Sequence, residues 1–187
     1  MPTLDWIGKN KVVNHHLDVP YRVLERQYSF DAEGTHTEDN GSENMIIHGD
    51  NLAALKSLLP QYEGRIKCIY IDPPYNTGNK KDKKWVYSDN VDDPQIAAWI
   101  GKIVGSESED MARHDKWLCM MYPRLKLLWR LMSNDGFIAI SIDNTELFNL
   151  KAICDEIFGP NNFVTEISCV NNPKGRSDDK YVATAHE

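Results

Sequence analysis

No stretch of this 187-residue chain is apolar for long enough to span a bilayer, so no membrane-crossing helix is expected within it. Its first ten residues, Met1 to Asn10, have neither the apolar core nor the small-residue cleavage site of a secretory signal. The expected compartment is therefore the cytoplasm, with no membrane attachment. Cysteine is sparse: Cys68, Cys119, Cys154 and Cys169 are the only four. No two stand as Cys-x-x-Cys and no histidine pair has zinc spacing, so no metal site is expected. His15 and His16 are adjacent, and on a regular element neighbours point apart. Three of the four cysteines sit among apolar residues and read as buried, reduced thiols. Gly-x-Gly-x-x-Gly does not occur. Positive charge is also short, with 21 Lys and Arg against 28 Asp and Glu and a net charge of −7. That argues against a uniformly basic surface for nucleic acid. It leaves room for a local basic channel. Lys80, Lys81, Lys83 and Lys84 cluster in one stretch, and Lys174, Arg176 and Lys180 form a looser group.

What is present is an ordinary globular composition, 41% hydrophobic and 26% charged, on a chain long enough for one cored domain. Residues 1–43 are polar and weakly periodic and read as an N-terminal extension. Regular α/β grammar begins at residue 44 and is assigned to a catalytic domain over 44–187. Asn44 to His48 is predicted as a short strand around Met45-Ile46-Ile47. Gly49-Asp50-Asn51 is a turn able to cap a helix that carries Leu52, Leu55, Leu58 and Leu59 at helical spacing. Ile66 to Ile71 is a second apolar strand. The polar stretch from Asn76 to about Glu109 reads as a long excursion with one short helix near Pro94 to Val104. A long helix follows from about Asp110 to Met132, with Trp117, Leu118, Met121, Leu125, Leu128 and Met132 along one stripe. Pro123 is expected to kink or divide it. The turn Asn134-Asp135-Gly136 ends it, Phe137 to Ile142 forms a third strand, and a helix runs from about Thr145 to Phe158. Phe163 to Val170 is predicted as a further strand. Trp117, Met121 and Trp129 read as core packing.

This alternation is the pattern of a mostly parallel sheet covered on both faces. In such sheets ligands bind beyond the carboxyl ends of the strands. Asp50, Asp72 and Asp143 each fall at such an end. Either they form a site or each caps the helix that follows.

Asp72-Pro73-Pro74-Tyr75 directly follows the strand Cys68-Ile69-Tyr70-Ile71. The two prolines have fixed φ and no N–H, so the turn is stiff. Its carbonyls are expected to face no competing internal donor. The turn thus offers a carboxylate and at least one carbonyl to the two N–H groups of a primary amine. Tyr75 adds a flat face for a planar ring. The guest that fits is a nucleobase with an exocyclic NH2. Its lone pair is delocalised into the ring. Holding both N–H groups out of the ring plane localises that pair for attack on an electrophilic methyl group. The carboxylate then stabilises the cationic product. In duplex DNA the base must first leave the stack. Asp72, Pro73, Pro74 and Tyr75 are therefore the candidate catalytic residues.

Asp-Pro-Pro-Tyr after an apolar strand resembles the catalytic signature of amino-group DNA methyltransferases. The longer run from Ile69 to Gly78 is similar to the modification subunits of type III restriction systems. So are His48-Gly49-Asp50-Asn51-Leu52-Ala53-Ala54-Leu55, the block from Lys116 to Leu125, and Ile140-Ser141-Ile142-Asp143. This resemblance implies a Rossmann-like, S-adenosylmethionine-dependent methyltransferase fold. It implies methyl transfer to adenine N6 of double-stranded DNA, since aspartate rather than serine leads the motif. A restriction subunit and a second copy of the chain become candidate partners. It also implies cofactor binding by Asp50 and Asn51, for which helix capping is the alternative. Lys80, Lys81, Lys83 and Lys84, with Trp85 and Tyr87, read either as an element on DNA phosphates or as a solvated loop face. In this family a Phe-x-Gly-x-Gly cofactor loop and a target-recognition region come later in the chain. Neither is found here, and Phe158-Gly159-Pro160 does not match. The chain is therefore expected to be the front part of such an enzyme and its fold to be incomplete. The rival expectations are an inactive or purely interacting piece of a restriction complex, or a methyltransferase of RNA or protein glutamine.

Overall fold

The structure, a computed structural model, describes residues 3–77, 94–109 and 111–169. Two short helices, α1 (Lys9–Val12) and α2 (His15–Asp18), lead into a hairpin of β1 (Ser29–Asp31) and β2 (Gly34–His36). Then come α3 (Asn51–Tyr62), β3 (Ile66–Ile71), α4 (Pro94–Val104) and the long α5 (Arg113–Leu131). The order closes with β4 (Met132–Ile140) and α6 (Leu147–Phe158). β3 and β4 pair in parallel, Ile69 beside Ile138 and Ile71 beside Ile140. A parallel pair needs a crossover, and α4 and α5 supply it. Among the described residues this pair is the only parallel sheet, and β1–β2 is a separate antiparallel hairpin.

α5 is the axis of the core. Trp117, Cys119, Leu125 and Leu127 are fully buried on it, as is Tyr122 nearly so. A helix buried along most of its length is one surrounded by other elements. Ile69 of β3, Ile100 and Val104 of α4, and Leu150, Ile153 and Ile157 of α6 join it in one cluster. Val19, Leu52, Leu59, Leu127 and Leu131 form a second. α5 runs unbroken through Pro123, so the proline does not divide it.

The first twenty residues enter this core. Trp6 and Val12 are buried in the main cluster. The Trp6 indole N–H donates to the Cys119 sulfur at 3.3 Å. Lys9 reaches Glu156 at 2.8 Å, and the Tyr122 hydroxyl donates to the other oxygen of that carboxylate at 2.8 Å. The buried Lys56 ammonium donates to the carbonyls of His16 and Leu17 at 2.9 and 3.1 Å.

Several expectations change here. The run Asn44 to His48 is not a strand, and Ile46 is 93% exposed. Residues 163–169 are likewise extended coil, with Phe163, Val164 and Ile167 exposed; Val170 lies outside the described residues. A strand exists only where another pairs with it, and among the described residues neither run has a partner. Among the described residues the parallel pair is covered on one face. Ile69, Ile71, Ile138 and Ile140 pack on the helices, while Tyr70 and Phe137 look outward. One strand–helix–strand crossover supplies helices to one side. Two thiols, not three, are sheltered: Cys119 is buried and Cys154 partly so, while Cys68 and Cys169 are exposed. Burial pushes the Cys119 thiol up to about 11 and the Cys154 thiol up to about 12. Trp129 is half exposed rather than core, with the Lys126 ammonium 5.9 Å from its ring.

The turn Asn134-Asp135-Gly136 lies inside β4 rather than ahead of it. Ile66 pairs with Met132 and Cys68 with Phe137, so the intervening residues of β4 bulge. Lys67 reaches across to the Asp135 carboxylate. A Cβ on Gly136 would lie 2.7 Å from the Ile66 carbonyl oxygen and 2.8 Å from Met132 Cγ. Gly136→Ala is therefore expected to destabilise the chain by about 1–3 kcal/mol, the usual cost of forcing an atom into packed structure. The check is a lower urea midpoint at unchanged m.

Candidate active site

Asp72 to Tyr75 leave the end of β3 as predicted, and each residue of the turn is held differently. Upstream, the Ile71 carbonyl accepts from Ser141 N–H at 3.0 Å, which extends the β3–β4 register into the turn. The Pro74 carbonyl accepts from the Trp117 indole N–H at 2.7 Å. This corrects the expectation that the turn's carbonyls face no internal donor, because an indole N–H on α5 reaches one of them. Trp117 does fill the core as predicted, but its polar edge fixes the turn. Among the described residues no hydrogen bond falls on the Pro73 carbonyl. The acceptors left for a guest are that carbonyl and the exposed Asp72 carboxylate.

The Tyr75 hydroxyl lies near the Asp72 carboxylate and Ser141. Burial first, and then the Asp72 carboxylate, push this phenol up to about 12, so it stays a neutral donor. Ser141 in turn meets the Tyr70 hydroxyl at 2.7 Å. Asp72, Tyr75, Ser141 and Tyr70 thus cluster at the carboxyl ends of the paired strands. Ser141 carries no role in the sequence reading, which placed it inside the strand Phe137 to Ile142; β4 ends one residue before it.

Downstream of the turn, Asn76 is the one described residue other than glycine with positive φ, at 60°. It is buried, and its amide donates to the Arg113 carbonyl at 3.2 Å and to the Glu146 carboxylate. Asn tolerates the left-handed region better than other side-chain-bearing residues. Asp143 accepts from Thr145 N–H at 2.8 Å and from its hydroxyl at 3.3 Å. It therefore shapes the turn before α6, whose N-cap position is Glu146.

Asp50 and Asn51 stand at the start of α3. Asp50 Oδ1 accepts from Ala53 N–H at 2.9 Å and caps the helix. Its other oxygen is 4.0 Å from the Arg124 guanidinium, and the side chain is 63% exposed. Asn51 Oδ1 accepts from Arg124 Nε at 2.7 Å. Trp117 and Arg124 are seven residues apart on α5, so they share a face roughly 10 Å apart along the axis. One helix thus anchors both the proline turn and the Asp50–Asn51 corner. Lys80, Lys81, Lys83 and Lys84 lie outside the described residues, as do Trp85 and Tyr87. Among the described residues no three His, Cys, Asp or Glu side chains converge as metal ligands. Nor is any helix there long and apolar enough to cross a membrane.

A carboxylate and an open carbonyl thus stand on a stiff turn, with an aromatic ring beside them, at the end of a parallel strand. Comparison with known proteins names the family. Residues 66–187 match the N6/N4 DNA methylase family, and the chain belongs to it. It is 35% identical over 197 residues to the type III restriction-modification enzyme EcoPI Mod subunit of Escherichia phage P1, covering 99% of this chain and 29% of that protein. It is 40% identical over 173 residues to the StyLTI Mod subunit of Salmonella typhimurium, covering 88% of this chain and 25% of the relative. The type II methyltransferase M.KpnI of Klebsiella pneumoniae is 36% identical over 149 residues, or 80% and 32% of the two chains. The chain therefore spans under a third of the length of these relatives.

Proposed function

We propose that this chain is the base-holding part of a site-specific DNA methyltransferase of a restriction-modification system, acting on adenine N6. The observation that carries the reading is the pair of acceptors left open on the turn, the Asp72 carboxylate and the Pro73 carbonyl. An extruded adenine would donate one amino hydrogen to each. This pulls the amine out of conjugation and aims its lone pair away from the turn. As the nitrogen becomes cationic, Asp72 stabilises it and then accepts the departing proton. Tyr75 flanks Asp72 on one side and presents its ring as a stacking face, worth roughly 1–3 kcal/mol to an unstacked base. Trp117 keeps the turn rigid without occupying the open carbonyl.

S-adenosylmethionine, when bound, supplies the methyl group as an electrophile. The donor set at the start of α3 fits part of it. The exposed Asp50 oxygen can accept from an adenine amino group or a ribose hydroxyl, and Asn51 offers its amide N–H2 beside it. The remaining cofactor contacts, the target-recognition region and the rest of a Rossmann-like sheet are assigned to regions beyond 1–187. The outward Tyr70 and Phe137 suit a face that further elements cover. Residues 1–43 are read as an extension tied into the 44–187 domain by Trp6 and Val12. Lys80, Lys81, Lys83 and Lys84 are assigned to DNA phosphates. A restriction subunit and a second copy of the chain are the proposed protein partners.

The test is transfer of labelled methyl to mixed-sequence DNA, RNA and protein. It is run with the chain alone and with a full-length fusion in which it replaces the matching segment of a Mod relative. The fusion is expected to label adenine in DNA, and the chain alone to label little. Labelling of RNA or protein but never DNA refutes the reading; strong labelling by the chain alone refutes its division into base-holding and cofactor-holding parts.

A further inference from the structure

Glu146 is fully buried, yet nothing in the chemistry above uses it. It stands at the N-cap position of α6, but its side chain does not cap that helix. Its carboxylate instead accepts from the Asn76 amide, from His114 Nδ1 at 2.7 Å and from the Asn149 amide at 2.8 Å. A carboxylate can only accept, so the Nδ1 position carries the proton of His114. These donors come from three places: the residue after the proline turn, the first turn of α5, and α6 itself. Burying a carboxylate costs stability unless donors surround it, so the cluster holds only when all its members are in place.

The geometry points to Glu146 as a positioning residue for the amine-holding turn, an inference that rests on the function proposed above. β3 fixes the turn where the chain enters it, and Trp117 fixes the Pro74 carbonyl in its middle. Asn76 fixes the exit, in a left-handed conformation. Nothing local compels that conformation. The amide bonds to Glu146 and to the Arg113 carbonyl hold it, and so set where Tyr75 and the Pro73 carbonyl stand relative to Asp72. Glu146 touches no reacting atom; it acts through Asn76.

Three substitutions test this. Glu146→Ala removes both acceptor oxygens, Glu146→Gln keeps the volume and one of them, and Asn76→Gly keeps the left-handed backbone but removes the amide. In the isotope-labelled full chain, the Trp117 indole N–H resonance reports the bond to Pro74, with Trp117→Phe assigning the signal. Glu146→Ala and Asn76→Gly are expected to move that resonance toward a solvent-exposed indole, and Glu146→Gln to move it less. In the full-length fusion the same variants are expected to lower kcat by about tenfold to a hundredfold, the scale of a slightly misplaced reacting group. KM for DNA is expected to change far less. The double variant is expected to be little worse than either single one, because both break one link. If Glu146→Ala fails to fold, Glu146→Gln and Asn76→Gly decide. A lowered Tm with an unmoved Trp117 resonance and unchanged kcat overturns the inference and leaves Glu146 a purely structural residue. If the unsubstituted fusion methylates nothing, the proposed function fails, while the indole resonance still decides whether Glu146 holds the turn.

Discussion

Asp72→Ala is expected to reduce methyl transfer by the full-length fusion by about 10²–10³-fold, with the loss in kcat rather than in DNA binding. The magnitude is that of removing one preorganised electrostatic partner from the point where charge develops. Asp72 is the charged half of the acceptor pair. Without it the amine keeps one N–H in the ring plane, and its cationic product has no counter-charge. DNA affinity is expected to hold because phosphate contacts dominate it. The fold is also expected to hold: Asp72 is exposed, and a surface substitution of this kind costs within about 0.5 kcal/mol. Asp72→Asn separates shape from charge, since the amide keeps an acceptor oxygen and loses the charge. It is expected to fall between the parent and the alanine variant in single-turnover labelling. An Asp72→Ala fusion that retains a tenth or more of the parent rate sinks the assigned role.

The largest effect on stability is expected at Trp117. Its side chain is fully buried at the centre of α5, and its N–H ends on the Pro74 carbonyl. Trp117→Ala empties that volume and is expected to cost about 3–5 kcal/mol. In a chain of this length each kcal/mol lowers Tm by roughly 2–4 °C. Trp117→Phe keeps much of the apolar bulk while deleting the donor and one ring, so a smaller loss of about 1–2 kcal/mol is expected. The phenylalanine variant therefore distinguishes the two jobs of the residue. Thermal unfolding should change less than in the alanine variant, while methyl transfer by the fusion falls because the turn has lost its central anchor. Equal Tm values for Trp117→Ala and the parent would falsify the placement of this indole in the core.

The parts of the molecule legible in the sequence were those whose signal is local. Ile66 to Ile71 reads as a strand because its apolar run stops at Asp72-Pro73-Pro74, and the structure ends β3 at Ile71. α6 is legible from Leu147, Leu150, Ile153 and Ile157 and from Gly159-Pro160 after it. The Asp72–Tyr75 motif was legible for the same reason: its stiffness is written in consecutive residues. What failed depends on partners distant in sequence. Met45-Ile46-Ile47 and Phe163 to Val170 have strand composition, but composition states a need for burial and does not supply a neighbouring strand. Trp117 was predicted as core from its spacing, yet periodicity does not reveal where an indole N–H ends. Glu146 looks like any solvated glutamate before a helix. Only the fold places Asn76, seventy positions upstream, and His114 against it. Asp50 was legible as a helix cap, while its neighbour Arg124 comes from another helix altogether.

The tie between Trp6 and Cys119 bears on how this protein is made. The two residues are separated by 113 positions. At synthesis rates of about 5–20 residues per second, the N-terminal tryptophan waits roughly 6–23 s before its sulfur partner is even polymerised. Until then Trp6 and Val12 have no α5 to close on. Trp6 and Val12 are thus buried only after α5 has been made.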